Sequence, residues 1–155
     1  MARFGYNKTN NKFGAHKVMF KDMEFDSRYE LNRYLVLRDL QKKGSIDWLW
    51  RQKRFRIIKK VVKLFPVQLK TKVRYEQRVV EKEAWYTCDF LYEMNGIIYV
   101  EELKSVMTAE LPDYVLRRKL MVNKIYDHNE RPNRKKWVFR EVIYDKKGNM
   151  TITDK

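Results

Sequence analysis

The chain has 155 residues and carries 35 Lys plus Arg against 20 Asp plus Glu, a formal net charge of +15. A hydrophobic fraction of 44% excludes a solvated disordered chain, and a chain of this length buries roughly 70% of its unfolded surface. So large a charge imbalance opposes compaction unless a polyanion neutralises it, which points to nucleic acid first and an anionic membrane surface second.

One cysteine, Cys88, excludes an internal disulfide framework. Two histidines, His16 and His128, supply neither a Cys/His zinc set nor a nucleophilic triad at recognisable spacing. The N-terminal residues show no apolar signal-peptide core, and no apolar run approaches the ~20 residues that span a bilayer. The expectation is a soluble cytoplasmic protein with no membrane partner.

Residues 1–24 are basic, rich in Asn and Lys and weakly periodic, and read as a mobile or loosely docked arm, either contacting phosphate or a disordered tail. A helix follows Phe25-Asp26-Ser27, capped by Asp26 or Ser27, with Leu31, Tyr34, Leu35, Leu37 and Leu40 as its apolar stripe and Gly44 as its stop. Trp48 opens an alternating stretch. Phe55 to Val62 fits a strand or a short basic helix, Pro66 breaks the run, and Val73 to Val80 reads as a strand. Tyr86 to Tyr92 and Ile97 to Leu103 read as strands joined at Asn95-Gly96, the strongest short-range hairpin signal. Pro112 with Leu116, Leu120 and Ile125 predicts a second helix to about Tyr126, and Trp137 to Tyr144 a last strand. No linker separates domains, so residues 25–155 read as one α/β (α+β) domain, a mixed central sheet flanked by helices.

The hairpin fixes a register. A two-residue turn at Asn95-Gly96 sets Met94 opposite Ile97, Leu91 opposite Val100, Asp89 opposite Glu102 and Thr87 opposite Lys104. Alternation puts Glu102 and Lys104 on one side and Glu101 and Leu103 on the other, unless a bulge exchanges Glu101 for Glu102. Two facing carboxylates repel, and a divalent cation resolves the conflict. Asp89, Glu102 and the Leu103 carbonyl supply hard oxygen ligands for Mg²⁺. Lys104 lies one pleat further, where it can act on an attacking water or on developing phosphorane charge. The same residues also fit a solvated hairpin in which Lys104 merely balances a carboxylate. The apolar neighbours, however, make these strands read as central.

The segment Tyr86-Thr87-Cys88-Asp89-Phe90-Leu91, followed by Ile97-Ile98-Tyr99-Val100-Glu101-Glu102-Leu103-Lys104, resembles the PD-(D/E)XK nuclease signature. Small phage endonucleases, among them Holliday-junction resolvases of the phage endonuclease I type, are similar. Phe25-Asp26-Ser27-Arg28-Tyr29-Glu30 resembles their upstream helix start. The resemblance implies a restriction-endonuclease-like αβββαβ core and metal-dependent DNA endonuclease activity, with branched or junction DNA as substrate. It implies metal ligation by Asp89 and Glu102, a catalytic role for Lys104 and a supporting one for Glu30. Mg²⁺ is the expected cofactor, replaceable by Mn²⁺, and a phage-encoded enzyme would work in the host cytoplasm. Cys88 stands where the name-giving proline would be. Ser27-x-x-Glu30 also fits a capping box, so a capping role for Glu30 stands beside the active-site role. A non-catalytic nucleic-acid-binding module, or a cleavage subunit with a partner protein in a recombination, transposase-like or packaging complex, are the alternatives.

Lys53, Arg54, Arg56, Lys59, Lys60 and Lys63, interleaved with Phe55, Ile57, Ile58 and Val61, form a basic block that reads as a DNA-contacting extension. Arg117, Lys119 and Lys124 on the second helix are further phosphate candidates, with Arg118 as easily a solvated residue. Gln52 is placed to line the site or to lie exposed. Trp48, Trp50 and Trp85 fit base stacking or core. Enzymes of this kind that cut both strands are often homodimers.

Overall fold

The structure is a computed structural model and describes residues 17–155. The described residues divide into two compact units: one takes in residues 17–53 and 88–155, and the other is Arg54–Thr87. The sequence shows no linker at these boundaries, because the chain crosses between units within strand-like sequence.

In the larger unit, β1 (Val18–Phe20) and β2 (Met23–Phe25) form an antiparallel hairpin around Lys21, whose φ is 53°. Val18, Phe20 and Met23 pack on the hydrophobic core. The expected loose arm is therefore corrected over residues 18–24. Its remaining part, residues 1–16, lies outside the described residues.

Helix α1 (Arg28–Lys42) begins at Ser27, whose Oγ accepts a 3.1 Å hydrogen bond from the Glu30 amide. Leu31, Tyr34 and Leu37 are buried, whereas Leu35 turns outward and stays 40% exposed. The helix stops at Gly44, whose φ of 76° suits the left-handed position just past a helix end.

The sheet of this unit has five strands in the order β11-β10-β9-β8-β3. They are β3 (Trp48–Arg51), β8 (Phe90–Met94), β9 (Ile97–Ser105), β10 (Trp137–Tyr144) and β11 (Met150–Asp154). The β9–β10 pair is parallel and the others antiparallel. A parallel neighbour needs a crossover, here the short α2 (Val106–Ala109) and the long α3 (Pro112–Asn129), with Pro112 in the first turn where its missing N–H costs nothing. Strand β11 extends the sheet beyond the expected last strand, where the sequence reads only as a tail. The result is a mixed α+β fold in which β8 and β9 are interior strands.

The helices lie on opposite faces of the sheet. Arg33 of α1 pairs with Glu101, while Tyr114 and Arg118 of α3 pair with Glu141, the ladder partner of Glu102. Adjacent strand residues point to opposite faces, so the α1 side holds Glu101 and the α3 side Glu102.

The smaller unit is all strand. β4 (Arg54–Ile58) pairs with β7 (Ala84–Thr87), and β5 (Val61–Gln68) with β6 (Val73–Glu81), both antiparallel. The ambiguous Phe55–Val62 segment is thus strand on both sides of a short break. Pro66 does not end β5 but sits inside it opposite Tyr75. A two-stranded ribbon has open edges, where a missing amide proton is tolerated.

Candidate active site

The Asn95-Gly96 turn has positive φ at both residues, 53° and 75°, and the register from Phe90↔Glu101 to Met94↔Ile97 follows it as expected. The extrapolation to Thr87 fails. The long strand expected over 86–92 breaks at Cys88–Asp89, and Thr87 leaves the ladder to pair with Arg54 instead of facing Lys104.

That break defines the site. At the bend Asp89 is held by three backbone-linked contacts. Its amide donates to the Glu101 carbonyl at 3.1 Å, its carbonyl accepts from the Gln52 amide at 3.1 Å, and its Oδ2 accepts from the Leu103 amide at 2.7 Å. The carboxylate therefore lies against the Glu102–Lys104 stretch, as the register implies. Burial raises its pKa well above the ordinary carboxylate value, the charge of Glu102 adds to that, and Lys104 and the Leu103 amide pull the other way.

Glu102 is buried and pairs with Lys104. Burial pulls the Lys104 pKa down, but Glu102 and Asp89 outweigh it, and the net shift is upward. The two acids thus favour the ammonium form of Lys104, which is placed to stabilise negative charge. Its Nζ lies 5.0 Å from the ring centroid of Tyr114.

Glu101, the competing acid, is fully committed on the α1 side. Arg33 donates to it in a two-pronged pair, both bonds 2.7 Å, and the Tyr92 hydroxyl donates at 2.8 Å. No bulge exchanges the two glutamates in β9. Cys88 is fully buried, and burial followed by Glu102 and Asp89 drives its thiol pKa up, so it carries no thiolate.

Glu30 joins the group from α1. Its Oε2 accepts from the Asp26 amide at 2.8 Å, one residue before the reach of a regular capping box, and Arg51 Nη2 lies 3.5 Å from Oε1. Oε1 is buried without a hydrogen-bond partner among the described residues. Burial raises the Glu30 pKa, and the charge of Glu30 is the smallest of the influences that raise that of Asp89. Glu30 is thus a cap of α1 whose charge is felt at Asp89.

Asp89 and Glu102, two hard oxygen donors brought to the same stretch of β9, fit a divalent cation in their donor chemistry. Among the described residues, no three His, Cys, Asp or Glu side chains already stand in a metal-holding arrangement. A bound ion would rest on two carboxylates and main-chain oxygen, the set expected from the hairpin.

The remaining candidates fall outside this cluster. Gln52 is exposed with φ of 51°, and only its backbone reaches Asp89. Lys53 lies over Trp50 and Arg54 over Trp85, each 5.0 Å from the ring centroid, so these half-exposed tryptophans carry cations on their faces. Arg56, Lys59 and Lys60 are exposed in the smaller unit. Arg117, Lys119 and Lys124 are exposed on α3, Arg117 holding Asp113 at 2.7 Å. Arg118 is not a solvated residue: it reaches Glu141 Oε1 at 2.8 Å. Glu141 and Tyr114 escape sequence reading, since only the parallel β9–β10 register brings Glu141 beside Glu102.

No helix among the described residues is long and apolar enough to cross a membrane. Fold and site together define a mixed α+β protein with an acid–lysine cluster on two interior strands. The profile of the family described as Protein of unknown function (DUF1064) matches residues 10–146, and the chain belongs to that family. No curated protein matches the chain.

Proposed function

We propose that this protein is a divalent-metal-dependent endonuclease that hydrolyses phosphodiester bonds in DNA. The observation that carries the reading is the convergence of Asp89, Glu102 and Lys104 at one point of the central sheet, with Glu30 in electrostatic reach. Glu102 and Glu30 are buried and Asp89 is half-buried, at a cost that a cation would relieve. Apart from the intervening β4–β7 and the short α2, the order α1, β3, β8, β9, α3, β10, with β9 and β10 parallel, supports the αβββαβ arrangement that the sequence motif implies. The net charge of +15 supplies attraction for a polyanionic substrate.

Asp89, Glu102 and the Leu103 carbonyl would hold Mg²⁺ or Mn²⁺. The ion would supply a water of lowered pKa and polarisation of the scissile phosphate. Lys104, charged at neutral pH, neutralises negative charge that builds on the phosphate oxygens. Glu30 supports the site from the start of α1. The preferred substrate is branched or junction DNA, and the preferred origin is a phage, both on the resemblance of the motif.

Nicking of supercoiled plasmid and cleavage of a four-way junction are measured with Mg²⁺ or Mn²⁺, beside Asp89→Asn. Cleavage by wild type alone is the expected result. Equal inertness of both proteins overturns the enzyme reading and leaves the second one, a nucleic-acid-binding module. The Lys104–Glu102 pair gives that second reading its own support, because it balances one acid without any metal.

A further inference from the structure

The β5–β6 ribbon is amphipathic across its two faces. Side chains alternate along each strand, and ladder partners share a side. One face therefore carries Lys63, Phe65 and Val67 with Arg74, Glu76 and Arg78. The contacts agree: Glu76 pairs with Arg74 and lies 3.6 Å from Arg78, and Arg78 sits 5.4 Å from the Phe65 ring centroid. The other face carries Val62, Leu64, Pro66 and Gln68 with Val73, Tyr75, Gln77 and Val79. It holds no charged residue, although residues 54–87 contain ten Lys and Arg against three Glu.

This uncharged face is open. Leu64 is 62% exposed, Tyr75 65% and Val79 54%, and Pro66, Gln68 and Gln77 are exposed beside them. A two-stranded hairpin is marginal in water by itself, and an apolar face of this extent marks a binding surface. All eight of its residues are exposed, and a standard interface takes about 800 Å² from each partner.

We propose that this face seats the same face of a second copy of the chain. The charge distribution selects that occupant. A polyanion is attracted to the opposite, basic face and finds no cation on this one. Two chains of charge +15 repel except where both present uncharged surface, and an apolar face stacked on itself is self-complementary under two-fold symmetry. Stacking would leave Lys63, Arg74 and Arg78 outward on both copies. The inference stands apart from the endonuclease reading and uses none of its residues.

Sedimentation velocity of the full chain, free of nucleic acid, tests it from about 1 to about 100 µM in about 0.3 M salt, where the Debye length is well under 10 Å. The expected result is a shift from monomer to dimer across that range. Leu64→Glu with Tyr75→Glu remains monomeric with the wild-type circular dichroism spectrum, and Lys63→Gln with Arg78→Gln still dimerises. If the double glutamate variant does not fold, Leu64→Gln alone must weaken the dimer at least about tenfold, one decade of affinity. A wild-type chain that stays monomeric throughout, a folded glutamate variant that still dimerises, or a dimer that forms only with added DNA overturns the proposal.

Discussion

Asp89 Oδ2 accepts the backbone amide of Leu103 at 2.7 Å, tying the bend before β8 to the middle of β9. This bond fixes where the first acid stands relative to Glu102 and Lys104, the residues on either side of Leu103. Asp89 is thus a fastener of the fold as well as a candidate ligand.

Asp89→Asn keeps an acceptor for the Leu103 amide and loses the charge. Cleavage of plasmid DNA should fall by about 10²-fold or more, with no loss of melting temperature. Asp89→Ala, which orphans the amide, should also lose roughly 1–3 kcal/mol of stability. Equal melting temperatures for the two variants would detach the bond from stability.

The two neighbouring glutamates should separate cleanly. Glu101→Gln disturbs a buried pair with Arg33, and Arg33→Ala leaves Glu101 buried and uncompensated, at a cost of about 3–5 kcal/mol. Glu102→Gln should instead abolish metal-dependent cleavage with a smaller effect on unfolding. Denaturant titration beside a nicking assay reads both effects. The reverse pattern would assign the ligand to Glu101.

Asp89 and Glu30 both have raised pKa values in the folded protein, so folding favours their protonated forms. The stability they contribute is complete below the ordinary carboxylate pKa of about 4 and is lost as pH rises through the folded-state value. Without metal, Asp89→Asn should therefore gain on wild type in melting temperature as pH rises from about 4 to 8. Mg²⁺ should stabilise wild type more at pH 8 than at pH 5, because ligands bind deprotonated. Thermal scans at a series of pH values, with and without Mg²⁺, check both signs.

Removing Lys59, Lys60 and Arg54 together should weaken duplex binding and flatten its salt dependence by about 0.9 in log–log slope per lost phosphate contact. Fluorescence anisotropy at several salt concentrations measures the slope. An unchanged slope would take these cations out of the DNA contact.

The site was legible in the sequence where a short-range signal reached it. Asn95-Gly96 fixed the turn, the turn fixed the β8–β9 register, and alternation separated Glu101 from Glu102. Thr87 departs from that register, because nothing local reveals that a strand will bend at Asp89 and change partners. Glu141 stayed hidden for a related reason. The β9–β10 register spans a helical crossover, and no residue pattern in either strand fixes it. The hairpin at 18–25 was missed because three-residue strands are too short to show a period.

The pairing of Arg54 with Thr87 means that the smaller unit leaves and rejoins the chain at one rung of a ladder. A segment anchored in this way is a cassette: its tip can be lengthened, trimmed or exchanged while the two flanking strands keep their partners. Variation among relatives in what they grip should therefore concentrate between these two residues, and a chimera joined at this rung is the natural way to move that property from one chain to another.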